Sequence, residues 1–246
     1  MADQNIIYTE LSPDIEHIKI HGLQRSGTNY LAHLIDENFI KVKSLVNLGG
    51  WKHGHYSAPW HLGKEVHVAM IAKNPYSWLV SLFKYWGPNK KLRIGPDLDG
   101  VSFEEFVKNR CYFERQKDIP YLFRASNPIQ QWNNMHFHWM SIRMNGKALF
   151  AIPYERLVQD IDKALGHMET VFQLKRKNFV VNCDQTFTPS GEITKPSNKK
   201  WDKKFYENSE YMKWYTQSLL DFVNSELDMD VMIKLGYDYI MEAEKC

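Results

Sequence analysis

At 246 residues, 43% of them apolar and 14% aromatic, the chain can bury a sizeable core and is too apolar to be disordered. A formal net charge of +2 excludes a strong field toward nucleic acid or a membrane surface, so any anion binding must rest on local basic clusters. Cys111, Cys183 and Cys246 are too widely spaced for a disulfide framework or a Cys-x-x-Cys metal site. The N-terminus has neither a basic nor an apolar leader region, and no apolar run reaches the length that spans a bilayer. A cytoplasmic protein with reduced thiols is expected.

Residues 1–14 read as an irregular lead-in ending at Ser12-Pro13. The alternation Ile15-Glu16-His17-Ile18-Lys19-Ile20 then predicts a strand, and Tyr30, Leu31, Leu34, Ile35 and Phe39 fall on one face of a helix from Thr28 to about Asn38. Between them lies His21-Gly22-Leu23-Gln24-Arg25-Ser26-Gly27, a glycine-bounded loop leading into a helix. In that layout backbone N–H groups and a helix N-terminus enclose a phosphate. Four residues separate Gly22 from Gly27, as in a Walker A loop, but Thr28 and Asn29 stand where that motif needs Lys and Ser/Thr. The cation lies inside the loop, at Arg25. A phosphate cradle without the usual magnesium-binding hydroxyl is predicted, which argues against ordinary ATP or GTP hydrolysis.

Arg25-Ser26-Gly27-Thr28 resembles the 5′-phosphosulfate loop of the PAPS-dependent sulfotransferases, where a Lys or Arg precedes Ser-Gly-Thr (PAPS is 3′-phosphoadenosine-5′-phosphosulfate). The resemblance implies that Arg25, Ser26, Gly27, Thr28 and Asn29 hold the 5′-phosphate. It also makes Tyr30, the aromatic after the loop, the candidate for stacking on adenine.

Lys41 to Leu48 is a candidate strand broken by Gly49-Gly50, after which Trp51-Lys52-His53-Gly54-His55-Tyr56 forms a polar–aromatic stretch. Two histidines at i, i+2 suit a metal or a general base; with no third ligand suggested nearby, the base is the sharper reading. In the cytosolic sulfotransferases a Lys and a catalytic His lie between the two PAPS loops. Lys52, with His53 or His55 as the base, occupies the comparable place here.

Glu65 to Ala72 is nearly continuous apolar sequence, suited to a strand buried on both faces of a parallel sheet. Lys73-Asn74-Pro75 follows, with Pro75 at the first position of a helix carrying Trp78, Leu79, Leu82, Phe83 and Trp86. This resembles the second PAPS element, in which Arg-Asp-Pro ends a strand and a Ser follows on the helix. Lys73 and Ser81 are then the implied 3′-phosphate contacts, Lys73 as a point charge in place of a bidentate fork.

Residues 87–100, with Lys90, Lys91 and Arg93, read as a polar turn region, either a loop over the acceptor site or a solvated connection. Ser102-Phe103-Glu104-Glu105 is a capping-box pattern that predicts a helix to about Arg110. Residues 111–129 give no periodic signal. Trp132 to Met144 predicts a helix whose Trp132, Met135, His136, Trp139 and Met140 form a packed face. Ala148 to Ile152 predicts a buried strand, followed by Tyr154-Glu155-Arg156-Leu157. The family has a strand followed by Tyr-Glu-x-Leu with the Tyr near adenine, so Tyr154 is a candidate purine contact or a packing residue.

A helix is expected over Ile161 to Phe172 with an extended tail from Leu174 to Val181, then a polar loop from Thr186 to Lys204. Its Lys199-Lys200-Trp201 partly matches the late basic loop of the family, making Lys199 and Lys200 candidate cofactor contacts. Closing helices follow from Tyr211 onward. No internal repeat and no second domain boundary is evident, so a single domain over 1–246 is expected.

Together the resemblance implies an α/β fold of P-loop type, a central, mostly parallel sheet with helices on both faces. It also implies PAPS as co-substrate, no metal, and transfer of the sulfuryl group to a hydroxyl or amine of a small-molecule or glycan acceptor. No nucleic-acid partner is expected. A divergent P-loop kinase or hydrolase, and a non-catalytic nucleotide-binding protein, are the rival readings.

Overall fold

A computed structural model describes residues 6–7, 15–45, 51–54, 66–86, 100–109, 125–141, 149–182, 185–190, 193–200 and 204–243. The chain divides into two compact units, each assembled from separated segments. One comprises Met1–Lys73 with Trp139–Lys203, the other Asn74–His138 with Lys204–Cys246.

The first unit is α/β, as the sequence predicts. Its strands are β1 (Ile6–Ile7), β2 (His17–His21), β3 (Lys43–Leu45), β4 (Val66–Ala72) and β5 (Leu149–Pro153), in the spatial order β1-β5-β4-β2-β3. β3, β2, β4 and β5 run parallel, while β1 pairs antiparallel with β5. That pairing corrects the irregular lead-in. Two apolar residues are too short a run to show alternation, and only the partner strand makes Ile6–Ile7 extended.

β4 is buried at every position, His67 included, as its nearly continuous apolar sequence requires of a strand in the middle of a parallel sheet. On β2, Ile18 and Ile20 are fully buried, and so is the intervening Lys19. The chain leaves β2 for β3 on one side and places β4 on the other. The carboxyl ends of β2 and β4 therefore flank the point where strand order reverses, the place where open α/β sheets bind ligands.

Helix α1 (Thr28–Asn38) coincides with its predicted span and buries Leu31, Leu34 and Ile35. Asn38 closes it from the side: its Nδ2 donates to the Leu34 carbonyl and to the Val181 carbonyl, and its Oδ1 accepts from the Val181 N–H. The extended tail after α6 (Ile161–Phe172) is thereby tied to the end of α1, and Phe39 and Arg176 form an isolated antiparallel bridge. α6 begins at Asp160, whose side chain accepts from the Lys163 N–H, after the short α5 (Tyr154–Gln159). Residues expected as a polar loop form instead a two-stranded antiparallel ribbon, β6 (Gln185–Ser190) with β7 (Ile193–Lys200). Pro189, Pro196 and the lysines masked the strand pattern, because an edge ribbon tolerates prolines that a central strand does not.

In the second unit, α2 (Pro75–Trp86) buries nine consecutive residues from Pro75 to Phe83. Asn74 Oδ1 accepts the Tyr76 N–H, the capping role an acidic residue also performs. α3 (Phe103–Lys108) starts with the predicted capping box, Ser102 and Glu105 bonding to each other's backbone N–H. Phe83, Phe103, Trp214 and Tyr215 meet edge to face. α4 (Pro128–Ser141) starts earlier than its apolar pattern, at a proline suited to a first turn, and its Trp132, Met135 and His136 are buried as expected. After α7 (Lys204–Glu207) and a 3₁₀ turn at Glu210–Trp214 come α8 (Gln217–Glu226) and α9 (Met229–Leu235).

Candidate phosphate-binding site

Gly22 leaves β2 in register with β4, since His21 pairs with Met70. A Cβ on Gly22 would stand 2.6 Å from the Ile71 carbonyl oxygen and 2.9 Å from Thr28 Cγ2, so only glycine fits the turn. The loop is held by the Ser26 N–H donating to the Leu23 carbonyl (3.1 Å) and ends at Gly27, φ 91°, the N-cap of α1. Gly27 has no side chain with which to cap α1, and no acidic residue lies in the helix's first turn. A helix N-terminus left in this state presents backbone donors and a positive dipole end to an anion. Ser26 is fully buried, and its Oγ has no hydrogen-bond partner among the described residues. A buried hydroxyl without a partner is costly unless a ligand satisfies it. Arg25 is exposed and sits in the left-handed region at φ 69°.

The segment 51–54 closes on this loop. The Gly22 N–H donates to the Lys52 carbonyl (3.1 Å), and His53 Nδ1 lies 2.6 Å from the Gly22 carbonyl oxygen. A carbonyl only accepts, so Nδ1 carries the proton and Nε2 of the neutral ring keeps its lone pair. Burial pushes the His53 pKa down to about 3, and Lys52 and Lys19 push the same way; the Gly22 hydrogen bond opposes them. Lys52 Nζ donates to Asn29 Oδ1 in the first turn of α1. Trp139 Nε1 donates to the Gly54 carbonyl (3.2 Å) and its ring stacks on His21, which fixes the far end of the segment.

β4 delivers Lys73 to the same loop. Lys73 is 2% exposed; its ammonium donates to the Arg25 carbonyl at 3.4 Å and lies 5.0 Å from the centre of the Tyr154 ring. The register explains the last contact: Ala72 pairs with Pro153, so the next residues, Lys73 and Tyr154, leave neighbouring strands side by side. Burial lowers the Lys73 pKa to about 7, with Glu155 opposing and Arg25 assisting. Tyr154 also backs Gly27, where an added Cβ would meet Tyr154 Cδ2 at 2.5 Å.

The first unit thus assembles Arg25, Ser26, Gly27, Thr28, Asn29, Lys52, His53, Lys73 and Tyr154. Tyr30 is turned to the tail after α6, its hydroxyl donating to Asn182 Oδ1 at 2.8 Å. Ser81 belongs to the second unit, buried on α2. His55 lies outside the described residues, as do the side chains of Lys199 and Lys200, whose backbone forms the end of β7. Sequence reasoning passed over Lys19. It is fully buried on β2, and burial followed by Lys52 lowers its pKa to about 7. A lysine alternating with isoleucines reads as a solvent-facing strand position, so only the tertiary structure marks it. Among the described residues no group of three or more His, Cys, Asp or Glu could hold a metal ion, and no helix is long and apolar enough to cross a membrane.

No family model and no curated protein matches the chain. Among solved structures it is similar to mouse sulfotransferase SULT7A1 complexed with PAP, at 18% identity and a TM-score of 0.41. The match covers 69% of this chain and 61% of the mouse protein, so the chain spans about three fifths of that protein's length.

Proposed function

We propose that the chain is a PAPS-dependent sulfotransferase that moves a sulfuryl group to a hydroxyl or amine and releases 3′,5′-ADP. What supports this reading is the buried Ser26 hydroxyl, unpartnered among the described residues, beside the glycine-capped N-terminus of α1, with Arg25 next to it in the chain, Lys52 bonded to Asn29 in the first turn and Lys73 bonded to the Arg25 carbonyl. That arrangement fits a phosphorylated ligand of high negative charge, and the place of the Walker lysine is taken by Thr28.

In the reaction, Ser26 and the α1 N-terminus hold the 5′-phosphate while His53 Nε2 accepts the acceptor proton. A new acceptor–sulfur bond forms as the bond from sulfur to the bridging phosphate oxygen breaks, and the electron pair stays on that oxygen. Arg25 and Lys52 neutralise the charge that develops there. Burial is the main cause of the low His53 pKa, and a bound anion offsets only the smaller contributions of Lys52 and Lys19.

Calorimetric titration tests the reading. Binding of 3′,5′-ADP that is tighter than that of 5′-AMP and needs no magnesium is the expected result. Binding of magnesium-ATP with none of 3′,5′-ADP would replace sulfuryl transfer with a kinase-like activity.

A further inference from the structure

The residue that follows β4 is the one the family resemblance links to the 3′-phosphate, and its surroundings in this chain point elsewhere. The Lys73 ammonium bonds to the carbonyl of Arg25, a residue inside the loop. The Tyr154 ring beside it is the surface on which Gly27, the last loop residue, rests. Ammonium, ring, Gly27 and the Arg25 peptide therefore form one packed set around Ser26, whose buried hydroxyl is unpartnered among the described residues. Arg25 holds a left-handed conformation that is uncommon for an L-residue, and the bond from Lys73 to its carbonyl helps to hold it there. The loop lacks a lysine at position 28, where a Walker loop has its phosphate-binding ammonium.

We infer that Lys73 is the loop's missing lysine, supplied from the neighbouring strand: it fixes Arg25 and gives its charge to the phosphate on the loop, and does not read the 3′-phosphate. The inference rests on the proposed binding of an adenosine phosphosulfate to this loop. It changes what selects the co-substrate, because discrimination by the 3′-phosphate must come from residues other than Lys73. The ammonium of this buried residue, bonded to the loop, also cannot swing to a second phosphate without giving up the Arg25 carbonyl.

The experiment compares wild type, Lys73→Met and Lys73→Gln by titration with 5′-AMP and 3′,5′-ADP. Glutamine keeps a donor for the Arg25 carbonyl while removing the charge, so the comparison survives if the methionine variant fails to fold. A lost charge-assisted contact weakens binding by about ten- to a hundredfold. The expected result is that loss for both ligands alike, with the ratio of their affinities kept at its wild-type value. Unchanged 5′-AMP binding, with 3′,5′-ADP falling to the 5′-AMP level, would overturn the inference and return Lys73 to the 3′-phosphate. Unchanged binding of both would also overturn it. Wild-type protein that binds neither would remove the functional reading and the inference together, an outcome that the variants alone do not produce.

Discussion

Replacing Gly27 with alanine tests the architecture of the loop most directly. The residue has φ 91°, and an added Cβ would lie 2.5 Å from Tyr154 Cδ2, 2.7 Å from Cε2 and 3.4 Å from Ile71 Cδ1. Holding an L-residue in the left-handed region costs about 1–2 kcal/mol. Forcing a methyl group against a packed ring adds about 1–3 kcal/mol. The stiffer unfolded chain returns about 0.4–1 kcal/mol, which leaves a net cost of roughly 2–4 kcal/mol. Tyr154 is buried between strand ends and cannot swing away as a surface side chain would. Hydrogen exchange over β2, the loop and α1 is the appropriate assay, because it reads protection in those segments directly. Protection should fall by about 30- to 1000-fold. In a Tyr154→Ala background the same glycine change should cost less by the clash share, about 1–3 kcal/mol. Equal costs in both backgrounds, or a loss below about 1 kcal/mol, would refute the packing of Gly27 on Tyr154.

Three further predictions concern charge. Burial holds Lys19 and Lys73 at about 7 and Lys52 at about 8, below the ordinary lysine value of 10.5, so between these limits the unfolded chain binds more protons than the folded one. Stability of the unliganded protein should therefore rise with pH through that window. An anion on the loop recharges these lysines, so its binding near pH 8 should take up protons and weaken as pH rises. Calorimetry in two buffers of different ionisation enthalpy measures the uptake, and proton release would contradict the placement of the lysines. Arg25→Ala should lower turnover of PAPS, with water as a slow acceptor, by about 100- to 1000-fold and affect affinity for 3′,5′-ADP much less. Unaltered turnover would remove Arg25 from the mechanism.

Local signals in the sequence carried most of the helices and the buried strands. The span of α1 followed from the spacing of Leu31, Leu34 and Ile35, α3 from a capping box, and β4 from an apolar run too continuous for a half-exposed strand. The strand–loop–helix unit around Gly22 and Gly27 was legible because a strand, two glycines and an amphipathic helix occur within a few residues of each other. Features that depend on distant partners were not legible. Ile6–Ile7 is a strand only because β5 lies beside it, and the ribbon of β6 and β7 exists through its own cross-strand pairing despite two prolines.

The candidate site divides the same way. By itself the sequence determined that a glycine-bounded loop with Arg25 precedes a helix, and that a polar Lys52-His53 pair and a strand-ending Lys73 occur further along. Only the tertiary structure decided what those residues touch. The parallel register of β2, β4 and β5 sets Gly22 against Ile71 and Lys73 beside Tyr154, and it buries Lys19. The physical reason is the range of the forces involved. Helix periodicity and turn chemistry act within a few residues and are written in the chain, whereas desolvation and charge crowding arise only when strands from remote segments pair.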